Sequence, residues 1–153
     1  MSHVATIDIE IRDLDALDAA CQRIGLQLVR DQKTYRWFGE HVGDYPVPQG
    51  FTVDDLGKCE HALRMPGDFS SMADDCKPYE IGVVRRRDGR PGYTLMWDFF
   101  GGGNGLEGVV GKNCTKLKQS YAIVAAMRAA RLKGFSVQES KQPNGTIRLV
   151  CSK

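Results

Sequence analysis

The sequence predicts an α+β fold: a mainly antiparallel sheet with two helices packed on one face, ferredoxin-like or an elaboration of that plan. Three features point there. Two stretches repeat apolar residues at three- and four-residue steps, several short stretches alternate apolar and polar residues, and tight turn signals join many of the alternating stretches. The order along the chain reads β-α-β-β-β-β-α-β-β, without internal repeats or sustained heptads.

Ala5, Ile7, Ile9 and Ile11 alternate with Thr6, Asp8 and Glu10, which predicts a half-buried strand over residues 4–11. Asp13 then reads as the N-cap of a helix to about Gly25, with Leu14, Leu17, Cys21 and Ile24 as its buried stripe and Asp15 near the positive end of the dipole. The aromatic-rich run Lys33 to Phe38 predicts a second strand. Pro46, Pro48 and several glycines break any period in residues 39–59, a long surface excursion. His61 to Met65 forms a short strand stopped by Pro66-Gly67, and residues 68–78 form a polar loop. Tyr79 to Arg87 and Tyr93 to Phe100 flank a turn-rich connector and read as a hairpin, with Tyr93, Leu95, Trp97 and Phe99 on one face opposite Ile81 and Val83. The glycine-dense stretch 101–112 leads into a helix from about Thr115 to Lys133, with Leu117, Tyr121, Val124, Ala125 and Leu132 on one arc and Gly134 as its stop. Phe135, Val137 and Glu139, the Asn144-Gly145 turn, and Ile147, Leu149 and Cys151 make a closing hairpin. The whole chain, 1–153, is expected to be one domain, with irregular insertions near 39–59 and 68–78.

The net charge of +2 hides a strong asymmetry. Residues 1–80 carry 8 Lys/Arg and 15 Asp/Glu, whereas residues 81–153 carry 13 and 4. The chain has no stretch long enough to cross a bilayer and no signal-peptide pattern, and its five cysteines are odd in number and without a CxxC pair. The expectation is a cytoplasmic protein with reduced thiols and no membrane partner. Cys21 and Cys151 fall on faces expected to be core. Cys59, His61 and Cys76 could supply part of a metal site, with His41 or Cys114 as a further ligand, but their spacing follows no zinc template and no cofactor is expected.

The positive excess gathers in two places that folding does not require. Arg85, Arg86, Arg87 and Arg90 crowd a hairpin tip, and Lys112, Lys116 and Lys118 surround the start of the second helix, where cations oppose the macrodipole. These seven residues are the candidate contacts to an acidic partner, either a protein surface or nucleic acid. Arg128 and Arg131, beside the apolar arc, either snorkel or mark a partner-facing edge. The glycine loop sits where phosphate-cradling loops sit, yet Leu106 and Asn113 break the P-loop spacing. Catalytic constellations are thin: Asp98 is expected to point away from the core, and Glu107 is the other acid near the loop.

The strings EIRDLDAL, HALRMPG, YEIGVV, YTLMWDFFGGGNGLEGVVG, KLKQSYAI, RLKGFSV and NGTIRLV together resemble an uncharacterised family of small proteins, a domain of unknown function found in cyanobacteria, algal plastids, planctomycetes and some bacterial viruses. The resemblance covers both ends and most of the second half; residues 40–58 and 68–77 depart from it. It implies an intracellular protein and brings no established activity or catalytic residues. Its members' proximity to AAA-type ATPases and ferredoxin-like proteins hints at a partner-binding role. The expected function is a non-catalytic binding module using the basic second half. The alternatives are a structural or assembly subunit, whose oppositely charged halves allow self-association, and a small phosphate-ligand enzyme built on Gly101–Lys112.

Overall fold

The computed structural model describes residues 1–153. Strands β1 (Val4–Ile11), β2 (Gln27–Arg30), β3 (His61–Arg64), β4 (Ile81–Arg85) and β5 (Tyr93–Asp98) form one sheet in the order β1-β5-β4-β3-β2, every neighbouring pair antiparallel. It follows that β1 and β2 run parallel at opposite edges, joined by helix α1 (Leu14–Ile24) and split by the other three strands. Helices α2 (Leu106–Val110) and α3 (Thr115–Leu132) follow the sheet. Strands β6 (Ser136–Lys141) and β7 (Ile147–Ser152) pair only with each other. The α+β class and the antiparallel sheet are therefore as the periodicities predict. No helix is long and apolar enough to cross a membrane.

α1 starts and stops where its end residues dictate. The Asp13 carboxylate accepts the Ala16 N–H at 3.0 Å, and Gly25 turns left-handed at φ 82° to close the last turn. That backbone bond holds the Asp13 carboxyl below the usual carboxylate range, and Arg128 at 2.9 Å reinforces it. α1 and α3 pack together on one face of the sheet. Ser120 Oγ donates to the Ala20 carbonyl at 2.8 Å, and the Tyr121 hydroxyl accepts the Arg12 N–H at 3.2 Å. Leu17, Cys21, Leu117, Tyr121 and Val124 from the helices close over Ile7, Leu63, Ile81, Val83, Leu95 and Trp97 from the sheet.

The opposite sheet face is also covered. Segment 31–58 lies across it and buries Tyr35 and Leu56, with Cys59, against Val4, Ala62, Val84 and Met96. A single bridge between Thr34 and Lys58, Tyr35 N–H to the Gly57 carbonyl at 2.9 Å, and Glu80 N–H to the Arg36 carbonyl at 2.9 Å hold the layer down. The strand expected over Lys33–Phe38 is therefore absent. Tyr35 and Trp37 of that run pack on a sheet face instead, and the edge strand is Gln27–Arg30, two residues after the left-handed Gly25.

Two core assignments are corrected. Leu132 is 88% exposed, because the 18-residue α3 runs past the 11-residue α1 that covers its first turns. Cys151 is exposed, because the β6-β7 hairpin stands outside the main sheet and half-buries only Val137, Ile147 and Leu149.

Candidate functional site

The hairpin between β4 and β5 shows what its arginines do. Arg86 donates to the Ile9 carbonyl through Nη1 at 2.5 Å and to Asp88 through Nε and Nη2 at 3.2 and 2.5 Å. Its side chain is only 8% exposed, so it clasps the irregular part of β1 onto the turn. Arg87 reaches Asp55 at 2.7 and 3.2 Å, accompanied by the Gly50 carbonyl at 3.2 Å, and its guanidinium lies 4.4 Å from the Phe51 ring centre. Arg90 sits 3.5 Å from Asp88 and 4.0 Å from Glu10. Arg87 holds the Asp55 carboxyl at about 2, and Arg86 does the same to Asp88, also about 2. Of the four arginines, Arg85 alone has no carboxylate; it stacks 5.0 Å from the Tyr93 ring. A groove of about 420 Å³ on the loop side is lined by Arg86, Arg87, Thr6, Asp8 and Thr94, and its cations are already paired.

The lysines differ. Lys112 and Lys116 are exposed and Lys118 half-buried, and none has a carboxylate within ion-pairing distance; Lys116 Nζ reaches only the Gly108 carbonyl at 3.4 Å. Arg131, Lys133, Lys141, Arg148 and Lys153 are equally without acidic partners. Arg128 is taken by Asp13, and Glu139, the one acid after Lys112, is taken by Arg23 at 2.5 and 3.0 Å. Eight cations from Lys112 onward, all but the half-buried Lys118 exposed, thus have no carboxylate partner. The arginine tip and the lysine-rich helix start both flank the edge strand β1. Arg86 holds Ile9, and Lys118 lines a small groove with Ala5–Asp8, Tyr45 and Asn113.

The glycine loop is a built turn. Gly101, Gly102, Gly103, Asn104 and Gly105 all have φ between 54° and 101°, five consecutive residues in the left-handed region that glycine tolerates best. The Gly103 carbonyl accepts the Tyr79 N–H at 3.0 Å, and Asn104 Nδ2 donates to the Asp75 and Lys77 carbonyls at 2.9 and 3.0 Å. α2 buries Leu106 and Val110 completely. The turn therefore pins the 75–79 segment to the end of β5.

Asp98, expected to point outward, is fully buried. It faces the covered side of the sheet, where Oδ1 accepts the His3 and Phe100 N–H groups at 2.9 and 3.1 Å and Oδ2 accepts the Phe38 N–H at 3.2 Å. No cation accompanies it. One carboxylate thus ties together the N-terminal segment, the long loop and the glycine turn.

No three His, Cys, Asp or Glu side chains converge to hold a metal. Cys59 Sγ donates to the Gln32 carbonyl at 3.2 Å, His61 Nδ1 accepts the Asp31 N–H at 3.0 Å, and Cys76 is exposed on a separate turn. Burial pushes the Cys21, Cys59 and Cys114 thiols up to about 12, so they are poor nucleophiles at neutral pH. Burial also lowers the His61 pKa from 6.5, although Asp31 and Glu60 pull it the other way. The native state favours neutral imidazole, so the stability it contributes is complete above 6.5 and falls as pH drops below that value. Urea titrations from pH 7.5 to 5 should show the wild type losing stability faster than His61→Gln; parallel curves would contradict this assignment. Compared with known protein families, curated proteins and solved structures, the chain matches none.

Proposed function

We propose that the protein is a non-catalytic binding module that engages an acidic partner through the cation-rich layer of α3 and the C-terminal hairpin. The observation that carries this is the run of eight cations from Lys112 to Lys153 without carboxylate partners, beside arginines at Arg86, Arg87 and Arg90 that are paired internally. Unpaired cations of one sign raise the local concentration of anionic partners and speed encounter. An acidic protein surface suits the layer better than single-stranded nucleic acid. Trp97 is buried and Tyr93 and Phe99 pack against the core, so strand β5 presents no row of rings for bases to stack on beside the cationic layer.

A second copy of the chain is the other acidic surface at hand. Residues 39–78 carry eight Asp/Glu against three Lys/Arg, which supports reading the molecule as a subunit that associates through opposite charges. The β1-α1-β2 unit, split by antiparallel strands, supports describing the fold as an elaborated ferredoxin-like plan. Five free cysteines, three of them buried, are compatible with a reducing cytoplasmic setting.

The test uses Lys112→Glu, Lys116→Glu and Lys118→Glu together. Removing cations from a helix N-terminus stabilises the helix by about 0.3–1 kcal/mol each, so lost binding cannot be ascribed to unfolding. Affinity for a poly-glutamate probe should fall at least about tenfold, and wild-type affinity should drop steeply between roughly 50 and 200 mM salt. Unchanged affinity for poly-glutamate would sink the proposal, and tighter binding of single-stranded DNA would redirect it to nucleic acid. Mass measurement across the same salt range tests the second copy: a monomer at every salt excludes it.

A further inference from the structure

The largest groove lies away from the cationic layer, at the end of the sheet where Asp98 gathers three segments. It measures about 580 Å³, within the range of small-molecule sites. Trp37, Phe38 and Phe100 line it, and Phe38 and Phe100 are 44% and 39% exposed, a large solvent exposure for phenylalanine. Asp98 accepts the backbone N–H of both and so anchors the main chain that carries them, and the Phe100 ring stands edge-on to His3 with centroids 5.0 Å apart.

Of the charged and hydroxyl side chains lining this groove, Tyr79, Arg36 and Lys77 are partly or wholly buried donors, whereas the carboxylates Asp74 and Asp75 stand exposed to solvent. Tyr79 is 9% exposed and its hydroxyl makes no hydrogen bond within the protein. It differs from the Tyr35 hydroxyl, which is sealed inside the second core without a partner; the Tyr79 side chain opens onto the groove. Burial and the nearby Asp98 raise its pKa, so it remains a donor at neutral pH. Arg36 spends Nη1 on the Pro78 carbonyl at 3.1 Å and lies 3.9 Å from Glu80, leaving its other guanidinium N–H groups uncommitted. Glu80 takes the Arg36 N–H at 2.9 Å and Gln32 Nε2 at 3.0 Å on Oε1, and its Oε2 lies 3.9 Å from Arg36 Nη1, so Nε and Nη2 of Arg36 are the groups left for a ligand. Asp74 at the rim is 97% exposed and paired with Lys77 at 2.7 Å, so water screens it.

We propose that this groove binds a small planar aromatic acid, its rings on Phe38, Phe100 and Trp37 and its anionic group on the Tyr79 hydroxyl and Arg36. Rings supply apolar area and the paired donors supply selection for the acid, the usual division of labour in such sites. Walls carried on an anchored main chain spare the ligand part of the ordering cost. The site is independent of the cationic layer.

A matched pair of fluorescent probes tests it on the full chain: 1-anilinonaphthalene-8-sulfonate and N-phenyl-1-naphthylamine, which share rings and differ in the sulfonate. The sulfonate probe should saturate at one site per chain and bind roughly tenfold tighter than the neutral one. Arg36→Met should erase that preference and leave neutral-probe binding intact, whereas Phe100→Ala should weaken both probes about tenfold. Tyr79→Phe, which removes one oxygen and keeps the ring, should weaken only the sulfonate probe, and it decides the matter if Phe100→Ala fails to fold. Equal affinity for both probes, indifference to Tyr79→Phe and Arg36→Met, or a signal appearing only as near-UV circular dichroism is lost would overturn the proposal.

Discussion

Replacing Asp98 with asparagine is expected to lower the unfolding free energy by about 2–3 kcal/mol, read as a fall in urea midpoint at constant slope. Asparagine has nearly the same shape and can keep the two bonds that Oδ1 accepts from His3 and Phe100. It cannot keep the third. Its amide nitrogen would face the Phe38 N–H, donor against donor, in a place without exposure to water. Alanine removes the acceptor from all three N–H groups and should cost more, of order 4 kcal/mol, because each buried donor left alone costs about 1–3 kcal/mol. A change below about 0.5 kcal/mol for Asp98→Asn would show that the carboxylate's three bonds do not act as described.

Gly82→Ala is the second large effect, and its cause is purely steric. Gly82 lies in β4 with no unusual φ, yet a Cβ there would stand 2.5 and 2.8 Å from two Tyr35 ring carbons and 3.1 Å from Cys59 Cβ. The Tyr35 ring is 2% exposed and the segment carrying it is bonded on both sides, so it has nowhere to move. One added methyl should cost about 3 kcal/mol, the upper end for overpacking. The double variant with Tyr35→Leu gives the check. If the clash is the cause, the two changes together should cost at least about 1.5 kcal/mol less than their sum. Additive costs would place the cause elsewhere, and a neutral Gly82→Ala would mean that the long loop is not seated on the sheet.

These two sites mark where sequence patterns stop being informative. The helix-facing side of the sheet was legible throughout. Ile7, Ile81, Val83, Leu95 and Trp97 announce themselves by alternation, and Asp13, Gly25 and Gly134 punctuate the helices as their chemistry requires. The other side was not, because it is covered by an aperiodic segment. Residues 31–58 have only a three-residue helical turn between the ends of β2 and β3 and cover the sheet through Tyr35, Leu56 and Cys59, a placement set by long-range contacts. Asp98 looked solvated for the same reason: alternation gives its face, and only the tertiary fold says that the face is closed. The arginine cluster was legible as a cluster but not as a set of clasps, since Asp55 and Glu10, which neutralise Arg87 and Arg90, are remote in sequence. The lysines of α3 have no such partners. The aromatic groove could not be seen beforehand, as its walls come from residues around 37, 79 and 100.

The position of β1 has a kinetic consequence. Strands β2 to β5 form a meander of successive neighbours, whereas β1 pairs Val4 with Asp98 across most of the chain. Closing a loop of that length must be met from chain entropy before the pairing returns anything, and each doubling of loop length adds about 0.6 kcal/mol to that cost. Addition of β1 is thus the high-contact-order event of this fold, the kind that slows folding relative to local hairpins. The groups that receive it are the Thr94 hydroxyl at the Ile7 carbonyl, Arg86 at Ile9 and Asp98 at His3, which between them span the strand. Until they engage, β5 carries an open edge, and the chain is at its most vulnerable to pairing with a neighbour instead of with itself.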